Sequence, residues 1–234
     1  MPFTELVAPS LTDLFVKQME HMILSGELKA GERLPTERQL AQKMRVSRAV
    51  VNGGINKLAD YGFLKIKPRK GVYVADYVRE GNVHTLNAIM SFSGSFFSPE
   101  YYEPLSKIRK SVEPVIIRDA VKSRTETDLQ NLRDAVETFR KVKEANRAGE
   151  AAYTFHHEMA IASGNVVYPL ALADAEELIT RSYEALFHIT GKEKYQPFFD
   201  GMLESIQNQD EEAALKLFEQ FSTMWDDLYN GGES

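Results

Sequence analysis

The stretch LPTERQLAQKMRVSRAVVNGGINKLADYGFLKIKPRKGVYV, Leu34 to Val74, decides how this chain is read. Pro35 and Thr36, with Gln39 three residues after the threonine, form a capping box that opens a helix through about Met44. Ser47 caps a second helix, in which Val51, Ile55 and Leu58 recur at i, i+4 and i+7 and make one stripe for burial. Arg48, Asn52 and Asn56 recur at i, i+4 and i+8 on the other face, free to meet a partner. After Gly62, two β-rich runs at 63–66 and 72–75 bracket Lys67-Pro68-Arg69-Lys70-Gly71, a hairpin with a cationic tip.

Two short helices joined by a few residues, the second with Arg and Asn near its start, match a helix-turn-helix whose second helix reads the major groove of DNA. Arg suits the guanine edge and Asn the adenine edge. Taken singly, an amphipathic helix with an arginine or a lysine at a hairpin tip is an ordinary solvated surface. The succession of helix, helix and basic hairpin is what points to DNA.

Charge agrees once it is divided. The chain carries −6 overall, yet residues 1–75 hold 12 Lys and Arg against 7 Asp and Glu, a net of +5. The remainder holds 16 against 27, a net of −11. A positive head on an acidic body directs only the head at phosphates.

At 234 residues the chain suits two domains, and 43% hydrophobic with 26% charged residues is the composition of a folded protein. No apolar run approaches the roughly 18 residues of a membrane helix, and the first residues do not read as a signal peptide, so a cytoplasmic protein without a membrane partner is expected. The absence of cysteine excludes disulfides, thiolate zinc sites and cysteine nucleophiles. With an isolated His156, no metal set and no paired nucleophile and base, an enzyme is not expected.

Working outward, residues 1–9 show no period, and from Ser10 the residues Leu11, Phe15, Met19 and Met22 recur at helical spacing as far as Gly26. This helix braces the reading pair from behind. The expected division is a winged helix-turn-helix at 1–75, a linker at 76–80 and an all-helical domain for effector binding and dimerisation at 81–230. Helices are expected at about 80–96, 99–121, 125–148, 150–163, 166–189, 192–207 and 210–229, punctuated by Pro99, Gly149, Gly164, Gly191 and Asn208-Gln209-Asp210. The fold class is mainly α, a head with a small β-hairpin wing followed by a helical bundle.

The head resembles the winged helix-turn-helix of the GntR superfamily. Its pattern of Gly, Leu-Pro, Glu-Arg, Leu-Ala and Val-Ser-Arg is met by Gly31, Leu34-Pro35, Glu37-Arg38, Leu40-Ala41 and Val46-Ser47-Arg48. The resemblance implies DNA contacts from Arg38, from Ser47, Arg48, Ala49 and Asn52 at the start of the recognition helix, and from Arg69, Lys70 and Gly71 in the wing. Where the family usually has Arg, four residues after the arginine of Val-Ser-Arg, this chain has Asn52. The body is similar to the FCD-type ligand-binding domain of the FadR subfamily, through Ile108-Arg109 with Glu113, Phe155-His156, Ala162-Ser163-Gly164-Asn165 and Gln209-Asp210.

Most relatives with such a body hold a divalent metal through one Asp and three His. Those positions fall here on Ala152, His156, Phe199 and Phe221, so no metal and no other cofactor is expected. Two alternatives stay open. Either the aromatics fill the centre and the body is insensitive to ligand, or an apolar pocket with His156 and Arg109 as polar handles takes an effector. The metal-free members that sense fatty acyl-CoA also carry a Trp on the last helix, as here at Trp225, which makes fatty acid or acyl-CoA the leading expectation and a small carboxylate the alternative. The implied protein is a homodimeric regulator on a palindromic DNA operator.

Overall fold

The computed structural model describes residues 9–93 and 99–231, and the chain forms two compact units, 1–94 and 95–234. The first unit is built on three helices. In α1 (Leu11–Leu24), Ser10 caps the start by accepting from the Asp13 backbone N–H. α2 (Glu37–Met44) opens with the Thr36/Gln39 capping box and ends on Arg45 in the left-handed region, φ 54°. α3 (Arg48–Asp60) is capped by Ser47, whose hydroxyl accepts from the Val50 N–H.

Phe15, Val16, Met19 and Ile23 of α1 interlock with Leu40, Val51, Ile55 and Leu58 in one core. The approach of α1 to α3 is close enough that only glycine fits at 54: a Cβ there would lie 2.2 Å from the Phe15 ring. Lys57 of α3 and Asp13 of α1 close the same crossing with a 2.9 Å ion pair.

The wing is β1 (Leu64–Lys67) paired antiparallel to β2 (Gly71–Val74), with Leu64 opposite Val74 and Lys67 opposite Gly71. The outer edge of β2 is covered in part, because Arg33 bridges to Tyr73, Leu34 donates to Val72 and Val74 donates to Glu32. At the tip Lys70 N–H donates to the Lys67 carbonyl, Pro68 takes the second position and Arg69 the third with φ 62°. Proline second and a positive φ third describe a type II turn, which normally takes glycine where this chain has Arg69.

The segment read from sequence as a linker, 76–80, contains a helical turn, α4 (Tyr77–Glu80), followed by α5 (Val83–Ser93). Both pack on the head. Thr85 donates to the Tyr61 carbonyl, Asn82 donates to that of Asp60 at 2.8 Å, and His84 stacks on Tyr61 at 4.7 Å.

The second unit holds α6 (Pro99–Ser123), α7 (Glu126–Lys141), α8 (Ala145–Ala162), α9 (Val167–Asp174), α10 (Glu176–Thr190), α11 (Gln196–Asn208) and α12 (Glu211–Gly231). α8 is buried over ten of its residues, including Ala148, Gly149, Ala151 and Ala152. These small side chains let α10 approach, and a Cβ on Gly149 would lie 2.3 Å from the Thr180 carbonyl oxygen.

Two expected boundaries therefore move. Gly149 does not end a helix but permits a crossing; the break lies at 142–144, where Val142 is extended and its carbonyl accepts from Lys192. The helix expected at 166–189 is two, parted at Ala175 (φ −95°, ψ 7°). Among the described residues no helix is long and apolar enough to cross a membrane.

Candidate DNA interface and effector cavity

On the head, the cap at Ser47 ends an extended residue and starts α3, so Arg48 and Ala49 occupy its first turn and both are exposed. Asn52 and Asn56 follow on the same face. Asn52 donates to Glu37 of α2 at 3.0 Å and Asn56 donates to Asn52 at 3.2 Å, so the face is pre-ordered by a short amide chain. Glu37 puts a carboxylate beside Asn52 and thereby disfavours a phosphate near that residue.

Arg38 is exposed on α2, and Arg69 and Lys70 are exposed at the wing tip. Lys67 belongs to the cationic tip read from sequence, whereas Arg33, which reaches the wing from outside it, was missed. Lys67 lies 4.5 Å from the centre of the Tyr73 ring, and Arg33 lies so close to Gly71 that a Cβ at 71 would be 2.9 Å from the guanidinium Nε. Gly71 therefore combines a positive φ of 113° with room for Arg33. No regular pattern announces Arg33, which precedes the strand it pairs with by a whole helix pair.

In the body, a cavity of about 320 Å³ opens between α6, α8, α9, α10 and α12. Its wall is chiefly aliphatic, from Val112, Ile116, Met159, Leu172, Leu178 and Ile179. Of the five expected effector residues, Arg109 and His156 line it. Ala152, Phe199 and Phe221 do not: they are buried in the core, with Phe199 4.4 Å from Phe139 and Phe221 stacked on Phe198 at 4.2 Å. The aromatics thus fill the centre of the bundle, and the cavity lies to one side of them. Phenylalanine side chains satisfy themselves by packing with each other, so their inward direction could not distinguish core from cavity wall.

The polar atoms of the cavity are few and arranged. Arg109 Nη2 donates to Ser222 at 3.1 Å, and its guanidinium lies 5.2, 5.8 and 5.9 Å from the ring centres of Trp225, Phe221 and Phe218. Its Nε is buried without a hydrogen bond, 3.7 Å from Glu113 Oε1. Burial pushes the Glu113 carboxyl up to about 7, against the lowering effect of Arg109. His156 Nε2 shares a 2.6 Å hydrogen bond with Tyr183 Oη, and burial, aided by the Arg109 charge, brings the imidazole down to about 3, so it is neutral near pH 7. Burial likewise holds Tyr183 protonated. Just beyond Glu113, α6 carries Pro114, which has no N–H to donate to the Lys110 carbonyl.

Among the described residues no group of three or more His, Asp or Glu side chains comes together to hold a metal. The residues at the positions where relatives bind one supply a single imidazole among phenyl rings, a donor set that does not fit a divalent ion.

Comparison with known proteins agrees with both halves. The profile of bacterial regulatory proteins of the gntR family matches residues 14–74, and that of the FadR C-terminal domain matches residues 75–230. The HTH-type transcriptional regulator LutR of Bacillus subtilis is 30% identical over 145 residues, 62% of this chain and 64% of LutR, so the match spans just under two thirds of that relative. The fatty acid metabolism regulator protein of Shewanella oneidensis is 26% identical over 171 residues, 70% of this chain and 67% of that protein. The solved structure of Lar, described as controlling expression of the Listeria monocytogenes agr system, superposes with a TM-score of 0.63 at 15% identity, over 96% of this chain and 99% of Lar, and shares its fold. With the winged helix-turn-helix matched over 14–74 and the remainder over 75–230, the chain belongs to the gntR family of bacterial regulatory proteins and carries a FadR C-terminal domain.

Proposed function

We propose that this protein is a DNA-binding transcriptional regulator, acting as a homodimer on a palindromic operator and governed by a small apolar effector held in the α6–α12 cavity. The observation that carries the first part is the exposed face of α3 with Arg48, Ala49 and Asn52, on a head of charge +5 that also exposes Arg38 and the cationic wing tip. One recognition helix contacts too few bases for useful specificity, and a two-fold pair doubles the contacts.

The effector reading is supported by an aliphatic cavity holding one arginine with an unsatisfied buried donor. The fatty acid metabolism regulators among the relatives lend the same direction. A cavity of this size lies at the lower end of small-molecule sites, roughly 300 to 1,000 Å³. Effector binding changes operator affinity only by its preference for free over DNA-bound protein, typically about 1–3 kcal/mol.

Fluorescence anisotropy with operator DNA tests the assignment. Arg48→Ala is expected to cost about 1–3 kcal/mol of specific binding; unchanged operator affinity would remove α3 from the interface.

A further inference from the structure

We infer that Glu37 and Asn52 act as one reading group, which selects adenine and rejects guanine at one position of each operator half-site. The inference rests on α3 being the helix that reads DNA.

A single charge fixes the polarity of the amide chain on α3. A carboxylate only accepts hydrogen bonds, so Asn52 turns its Nδ2 toward Glu37 Oε1, 3.0 Å away. Its Oδ1 then faces along the helix, and Asn56 meets it with its own Nδ2 at 3.2 Å. Turning either amide over would set oxygen against oxygen or amino group against amino group. Without Glu37 both amides could turn over together. Asn52 and Asn56 are exposed, Glu37 is half-buried, and among the described residues no cationic side chain pairs with Glu37.

What the pair offers a base is one donor and one acceptor, the second N–H of Asn52 and the carboxylate of Glu37. The 3.0 Å between them is short enough for both to meet one base edge. In the major groove adenine presents an acceptor, N7, beside a donor, the N6 amino group, and matches both. Guanine presents two acceptors, N7 and O6, and one of them would face the carboxylate. Cytosine brings only a donor and thymine only an acceptor, so each satisfies half of the pair. A lone asparagine would read adenine with its own oxygen and amide. Here Asn56 already engages that oxygen, and Glu37 supplies the acceptor in its place. The carboxylate repels phosphate, so the pair is suited to a base edge and not to the DNA backbone.

The test is selection of random-sequence duplexes by the full-length protein, then fluorescence anisotropy on the enriched operator with each base pair of a half-site replaced in turn. The parent, Glu37→Gln and Asn52→Ala are compared. In the parent one position is expected to carry adenine, and guanine there to weaken binding roughly tenfold or more. Glu37→Gln keeps the shape and frees the amides to turn over, so the same exchange is expected to cost less than about threefold while the other positions keep their preferences. Asn52→Ala is expected to relax that same position. Guanine preferred at the position that Asn52→Ala relaxes, an unchanged adenine preference in Glu37→Gln, or a loss in Glu37→Gln that is equal for all sequences would overturn the inference and leave DNA reading by α3 standing. If no sequence is enriched, that reading itself falls, and the inference with it.

Discussion

Single residues carry more of the account than their number suggests, and Arg69 shows why. It occupies a turn position with φ 62°, where glycine would be unstrained and an L side chain costs on the order of 1 kcal/mol. A charged residue kept there at the exposed wing tip is consistent with a phosphate contact. Arg69→Gly should leave unfolding free energy within about 1 kcal/mol of the parent while weakening DNA binding and lowering the salt slope by about one; thermal melts and salt-dependent anisotropy check both. The shifted groups His156 and Glu113 give a second prediction. His156 has a depressed pKa in the fold, about 3 against 6.5, so its contribution is present above 6.5 and lost as pH falls toward 3. Glu113 has a raised one, about 7 against 4.5, so its contribution is present below 4.5 and lost as pH rises through 7. Between about 4.5 and 6.5 the slopes oppose. Glu113→Gln unmasks histidine alone, and stability should then climb with pH across that window by up to about 1.4 kcal/mol per unit. Urea titrations at several pH values measure it, and a flat profile in the variant would mean that His156 is not held neutral.

At the scale of elements, the crossing of α8 and α10 depends on Gly149. Gly149→Ala places a methyl group 2.3 Å from a backbone oxygen that cannot rotate away, and overpacking of this kind costs about 1–3 kcal/mol. Calorimetry should show a lowered melting temperature, and an unchanged one would place the crossing elsewhere. Gly149 also shows what sequence could and could not reveal. Glycine in a helical run reads as a stop, yet glycine at a tight crossing looks the same in one dimension. The head was far more legible: the caps at Ser10, Thr36 and Ser47 are local, since each side chain bonds a backbone group within three residues, and the sequence displays that spacing directly. The cavity was legible only in its polar members. His156 is a polar residue on an apolar face and Arg109 came from the family resemblance, whereas Phe199 and Phe221 point inward as any core aromatic does, and their partners Phe139 and Phe198 come from packing that no local pattern specifies. α4 escaped notice because four residues are too few to show a period.

For the whole molecule, the division of charge matters most. A head of +5 on a chain of −6 confines phosphate binding to one unit, so operator affinity should fall steeply with salt even though the protein is acidic. The family assignment, the exposed α3 face and the basic wing all support the proposed DNA partner. Selection of random-sequence duplexes by the purified full-length protein tests this most directly, with the Arg48→Ala variant carried through in parallel. The account predicts enrichment of a two-fold symmetric sequence with half-sites about one helical turn apart, or a multiple of it, and loss of that enrichment in the variant. No enriched sequence, or the same sequence enriched equally by Arg48→Ala, would contradict it.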